Sequence, residues 1–160
     1  MEPDSPDVRW LTPDERRAWM ATAALFVRLP AALDSQLQRD AGLTFFEYMV
    51  LVALSEAPDR RLQMSDLAEL ASASLSRLSH AASRLEKQGF LSRCRVPGAG
   101  RRTVATLTDA GFAKVVAAAP GHVEHVRDLL IDRLSPAELA VLARAGDAVM
   151  NALGEGCPRD

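Results

Sequence analysis

The sequence predicts a mainly α fold with a small β component (α+β), arranged as a helix-turn-helix with a two-strand wing and long flanking helices. Three observations carry that reading. Ser or Thr followed by Glu three residues on marks helix starts at Thr12, Thr44 and Ser135. A brief helical stretch at 66–71, a turn at 72–74 and an amphipathic helix at 75–88 follow one another without a gap. Two β-prone runs then flank Pro97-Gly98-Ala99-Gly100, a tip that suits a mobile hairpin.

The elements follow in order. The first helix is expected over 13–40, with Pro at its first position, a bend at Pro30 and a stop at Gly42. Trp19, Ala23, Phe26, Leu33 and Leu37 form its apolar stripe. The second helix, 45–55, carries the run YMVLVAL and should be deeply buried. Ala57-Pro58-Asp59 is a turn, and 62–64 is short enough for a one-bridge strand. Ser65 is expected to cap the brief helix. Gly89 stops the next one with a residue that tolerates positive φ. Strands are expected at 91–96 and 103–107. Thr108 caps a helix to about 119, which Pro120-Gly121 should interrupt or kink before it resumes over 122–134. The last helix, 136–153, repeats Leu139, Leu142, Gly146, Val149 and Leu153 at helix-packing steps.

Projected at about 100° per residue, helix 75–88 places Leu75, Leu78, Ala82 and Leu85 on one side. Arg77, His80, Arg84 and Lys87 fall on the other, flanked by Ser76 and Ser83. A polar face is the default for any half-buried helix. The charge distribution points further. The chain carries a formal net charge of −2, yet seven Lys/Arg and one acid lie between Ser74 and Arg102. A basic segment on an acidic body concentrates phosphate attraction on one surface. Ser76, Arg77 and His80, near the helix start, are placed to approach base edges of duplex DNA, with Arg84 and Lys87 nearer phosphates, and Ser74 and Ser79 complete the candidate DNA-binding set of this helix. The wing arginines Arg101 and Arg102 are placed to reach an adjacent groove.

With 160 residues, 48% of them hydrophobic, the chain reads as one domain, 1–160. Within it, 44–107 form the DNA-binding lobe, and 12–42 and 108–153 are dimerisation helices. Their apolar stripes exceed what one winged helix covers, so a twofold homodimer is expected, against an intramolecular bundle as the alternative. No apolar run approaches bilayer length, so no membrane is expected. The acidic start MEPDSPDVRW is no secretion signal, and a reducing, cytoplasmic setting fits two distant cysteines, Cys94 and Cys157. No HExxH, phosphate loop, GxSxG or clustered His/Cys/Asp set is present, so neither catalytic residues, cofactor nor metal are expected. His122 and His125 read as a helix-surface pair, and Cys94 as structural. A winged helix that binds protein rather than DNA is the alternative function.

SRLSHAASRLEKQGFLSR, the junction GRRTVATLTDAG and the segment GLTFFEYMVLVALSEAP resemble the MarR family of bacterial transcriptional regulators over roughly 12–153. The resemblance implies a homodimer with interlocked terminal helices, a recognition helix at 74–88 in the major groove and Arg101 of the wing in the minor groove. It implies a repressor on a pseudo-palindromic operator, responsive to a small anionic or phenolic ligand. Trp19, Arg28, Met49 and His80 are candidate cavity residues, but the preferred reading makes Trp19 and Met49 core and Arg28 a solvated helix residue. The family usually has an Asp two residues before the wing Arg, where this chain has Ala99.

Overall fold

The computed structural model describes residues 8–95 and 102–155. In order it holds α1 (Pro13–Ala41), α2 (Phe45–Glu56), β1 (Arg61–Gln63), α3 (Met64–Leu70), α4 (Leu75–Lys87), β2 (Leu91–Arg95), β3 (Thr103–Leu107), α5 (Asp109–Leu129) and α6 (Pro136–Glu155). Single 3-10 turns lie at Pro58–Arg60 and Ile131–Arg133. The three strands form one antiparallel sheet in the order β1-β3-β2, with Leu62 opposite Ala105 and Arg93 opposite Ala105 on its other side. β1 is thus a three-residue strand rather than a single bridge.

The helix starts are built by local chemistry. The Thr12 N–H donates to Glu15 at 2.8 Å, and the Glu15 N–H donates back to the Thr12 hydroxyl at 3.3 Å. The Ser135 N–H donates to Glu138 at 2.8 Å. Thr108 caps α5 by accepting from the Gly111 N–H at 3.0 Å, while its own hydroxyl donates to the Gly89 carbonyl at 2.7 Å. Gly111 is needed there, because a Cβ would lie 2.0 Å from the Phe90 carbonyl oxygen.

α1 runs on through Pro30 as one helix, as expected. The expected interruption at Pro120-Gly121 is absent, since α5 is continuous from Asp109 to Leu129. Pro120 is exposed, and so is Val116, whose carbonyl loses its partner to the proline. Water can take that acceptor, so the missing bond leaves no buried polar group. α5 ends at Leu129, short of the expected 134. α3 begins one residue before Ser65, which is therefore inside the helix and not its cap; its hydroxyl donates to Asp66 at 2.9 Å.

One core runs from the end of α1 to the start of α5. Leu37, Leu43, Val50, Leu51, Leu54, Leu67, Leu78, Leu85, Leu91 and Ala105 are fully buried, and Val115 joins them. Only Leu33 and Leu37 of the α1 stripe are buried; Trp19 and Phe26 are exposed. α6 is exposed from 140 to 154. His122 is buried rather than on the surface, its ring 4.7 Å from Tyr48 and 5.9 Å from Phe45, with Nδ1 3.3 Å from Gln36 Oε1. Burial, aided by nearby His125, holds its pKa below the ordinary 6.5. Cys94 is exposed on β2.

Candidate nucleic-acid interface

α4 is the element whose surface the rest of the lobe presents. The Ala71–Ser74 turn, with Ser72 at φ 47°, sets its start. The Ser74 hydroxyl accepts from the Arg77 N–H at 3.2 Å, so Ser74 acts as the N-cap. At the far end Gly89, at φ 79°, reverses the chain into β2, a conformation that favours glycine. The buried arc is Leu78, Ala81, Ala82 and Leu85. Leu75, expected in that arc, is instead 55% exposed, and Ala81 takes its place. Ser74, Ser76, Arg77, Ser79, His80, Arg84 and Lys87 are all exposed. All seven expected residues of this helix are therefore open to solvent.

Two of the arginines are also tied to α2. The Arg84 Nε donates to Glu47 Oε1 at 2.7 Å. The Glu47 side chain is 5% exposed and the Arg84 side chain 55%. The second Glu47 oxygen accepts from the Thr44 N–H and hydroxyl, both at 2.9 Å. One buried carboxylate thus caps α2 and anchors the last turn of α4. The Arg77 guanidinium lies 4.3 Å from the centroid of the Phe46 ring. Charge-assisted bonds of this kind fix orientation as well as adding stability. They join residues 37 positions apart, and no spacing in the sequence signals them.

The wing is anchored similarly. Arg93 grips Glu86 through its backbone N–H at 2.9 Å and its guanidinium at 2.7 Å, and reaches Ser83 at 2.8 Å. The Arg93 hydrogen bonds hold the Glu86 carboxyl below the usual carboxylate range. Arg93 therefore contributes less free charge than the sequence count gave it. Arg77, Lys87, Arg95 and Arg102 make no ion pair among the described residues. Arg102 is exposed beside the end of β3. Arg101, Ala99 and Cys157 lie outside the described residues.

Two open hollows flank α4. One, about 500 Å³, lies between α4, the start of α3 and the wing, and is lined by Ser65, Leu75, Ser79, Arg93 and Arg102. The other, about 840 Å³, lies towards α1 and α2 and is lined by Asp34, Phe46, Met49, Arg77, His80 and Arg84. It brings Met49 and His80 together but not Trp19 or Arg28, which are exposed elsewhere on α1. Among the described residues no group of His, Cys, Asp and Glu could hold a metal ion. No helix there is long and apolar enough to cross a membrane.

Comparison with known proteins agrees with this geometry. The MarR family model matches residues 41–102. Sco3205, a MarR family transcriptional regulator from Streptomyces coelicolor solved in complex with DNA, is 42% identical, with a TM-score of 0.88 over 93% of this chain and 98% of that one. AbsC, another from Streptomyces coelicolor, is 36% identical, with a TM-score of 0.86 over 92% and 99%. Sco5413, from the same organism, has a TM-score of 0.76 at 23% identity, covering 91% and 99%, a likeness of fold. No curated protein matches in sequence. By fold, by family model and by identity over nearly its full length, the chain belongs to the MarR family of transcriptional regulators.

Proposed function

We propose that the protein is a dimeric, sequence-specific DNA-binding repressor. The observation that carries this reading is the exposed face of α4. Three serine hydroxyls, His80 and three cations share it, and Arg102 stands beside it on the wing. Ser76, Ser79 and His80 are the base-edge candidates, since residues near a recognition-helix N-terminus reach deepest into the major groove. Ser74 positions the helix, and Arg77 reads from its edge. Arg84 and Lys87 face phosphates, and Arg101 enters the minor groove with Arg102 beside it. The related Sco3205 was solved in complex with DNA, which supports the same partner here. The protein-binding alternative leaves this concentration of donors unused.

The dimer rests on uncovered apolar side chains. Trp10, Trp19, Met20, Phe26 and Val27 lie at or near α1, and Val141, Val149, Met150 and Leu153 on α6; each is more than half exposed. A second copy is the economical cover, and twofold symmetry then places two α4 helices on one duplex. The helices at 12–42 and 108–153 thus dimerise, and 44–107 form the reading lobe. A bound dimer occludes the duplex it covers, so exclusion of other proteins is the simplest output. The hollow beside Arg77, His80 and Arg84 suits a small anionic aromatic ligand, whose binding would compete with the α2–α4 anchor.

Fluorescence anisotropy with random and selected duplexes at several salt concentrations tests the reading. Affinity should fall steeply with salt on both duplexes, and the selected one should bind at least about 10³-fold tighter. Salt-insensitive binding, or none, would point to the protein-interaction alternative.

A further inference from the structure

α4 opens on a leucine that its own chain does not use. The core takes Leu78, Ala81, Ala82 and Leu85 from this helix. Leu75, directly after the N-cap, keeps 55% of its surface in solvent. A lone exposed leucine is ordinary on a protein surface. The surroundings of this one are not. Its neighbours at the helix tip are Ser74, Ser76, Arg77 and, one turn on, Ser79, all exposed. Leu75 and Ser79 together form a wall of the hollow about 500 Å³ in volume that Arg93 and Arg102 border from the wing. An apolar side chain therefore stands at the deepest-reaching end of the helix, ringed by groups that suit DNA.

We propose that Leu75 is a specificity-determining residue that packs against the 5-methyl group of a thymine in the major groove. This rests on the reading of α4 as the major-groove helix. The thymine methyl is the apolar group that base pairs offer in that groove, where the other edges present donors and acceptors. A leucine pressed on a cytosine amine or a guanine oxygen would bury that polar group without a partner. Preference for thymine thus comes from both the gain of a methyl contact and the cost of its replacements. Ser79, one turn along the same wall, can hydrogen-bond either a donor or an acceptor on the neighbouring pair.

Deoxyuridine differs from thymidine only by that methyl, so it isolates the contact. The full-length protein would first be given a duplex selected from a random pool. Each symmetry-related pair of thymines would then be replaced by deoxyuridine and Kd measured for the wild type, Leu75→Ala and Leu75→Met. Burial of one methyl group corresponds to about fourfold in affinity, so loss of two should weaken the wild type by about fifteenfold. One thymine per half-site should show this loss in the wild type and in Leu75→Met, and not in Leu75→Ala. Every other thymine should behave alike in all three proteins. Leu75 is exposed at the helix start, and an unchanged melting curve for Leu75→Ala would show that the variants fold equally. If no thymine is methyl-sensitive, or if the sensitivity persists undiminished in Leu75→Ala, the assignment is overturned while α4 keeps its reading role. If the wild type selects no duplex at all, both the reading of α4 and the role of Leu75 fall.

Discussion

Arg84→Ala strands a buried charge. Its partner Glu47 is 5% exposed at the side chain, and Arg84 is the sole cation paired with it among the described residues. Without Arg84 the carboxylate keeps only the Thr44 N–H and hydroxyl, both at 2.9 Å. A hydrogen bond to a charged group contributes about 1.5–3 kcal/mol. Arg84 is itself 55% exposed, so solvent screening places the expected loss near the lower limit, about 1.5 kcal/mol. Glu47→Gln should cost less, about 1 kcal/mol, because the freed guanidinium is already half in water and the amide oxygen can still accept from Thr44. In the double variant no charge is stranded, so a double-mutant cycle should return a coupling of about 1 kcal/mol. Urea denaturation of the four proteins at one fixed protomer concentration measures it, since the stability of a dimer depends on concentration. A coupling below about 0.3 kcal/mol, within ordinary additivity, would refute the anchoring role. So would a Glu47→Gln variant less stable than Arg84→Ala.

Other outcomes follow from the same structure. Gly111→Ala places a Cβ 2.0 Å from the Phe90 carbonyl oxygen, so α5 must shift away from the wing junction. The melt should report a loss of at least about 1–3 kcal/mol, and a neutral effect would show that the junction has slack. His122 is held below its ordinary pKa of 6.5 by burial and by His125. The unfolded chain therefore takes up the proton first, so the stability is fully present above about pH 6.5 and is lost as pH falls through the folded value. His122→Asn should flatten the fall below about pH 6.5, and an unchanged slope would place its origin elsewhere. Arg101→Ala should weaken binding most on sites with A·T-rich flanks, where the minor groove is narrow, and leave the melting curve unchanged. Equal binding to flanked and unflanked sites would remove Arg101 from the interface.

The features legible in the sequence are those set by residues close together along the chain. Thr12, Thr44, Thr108 and Ser135 cap their helices through partners three residues away. The arc of α4 and the bounds of β3 follow from short periodicities. What was not legible depends on distant partners. The interruption expected at Pro120 is absent because exposure, not composition, decides whether the orphaned carbonyl is costly. Spacing places Leu75 in the core, yet it keeps 55% of its surface in solvent at the first turn of α4. His122 finds Gln36 across 86 residues, and Arg84 finds Glu47 across 37. No local pattern encodes either contact. The seven exposed residues of the candidate face were all visible beforehand, whereas their anchoring to α2 was not.

Selection of binding sites from a random duplex pool by the full chain, followed by sedimentation of the complex, tests the proposed dimeric DNA reader most directly. The expected result is convergence on a pseudo-palindrome whose half-site centres lie about 34–36 Å apart, bound by two chains. A pool that does not converge, or a chain that sediments at 17.3 kDa apart from the duplex, would contradict it.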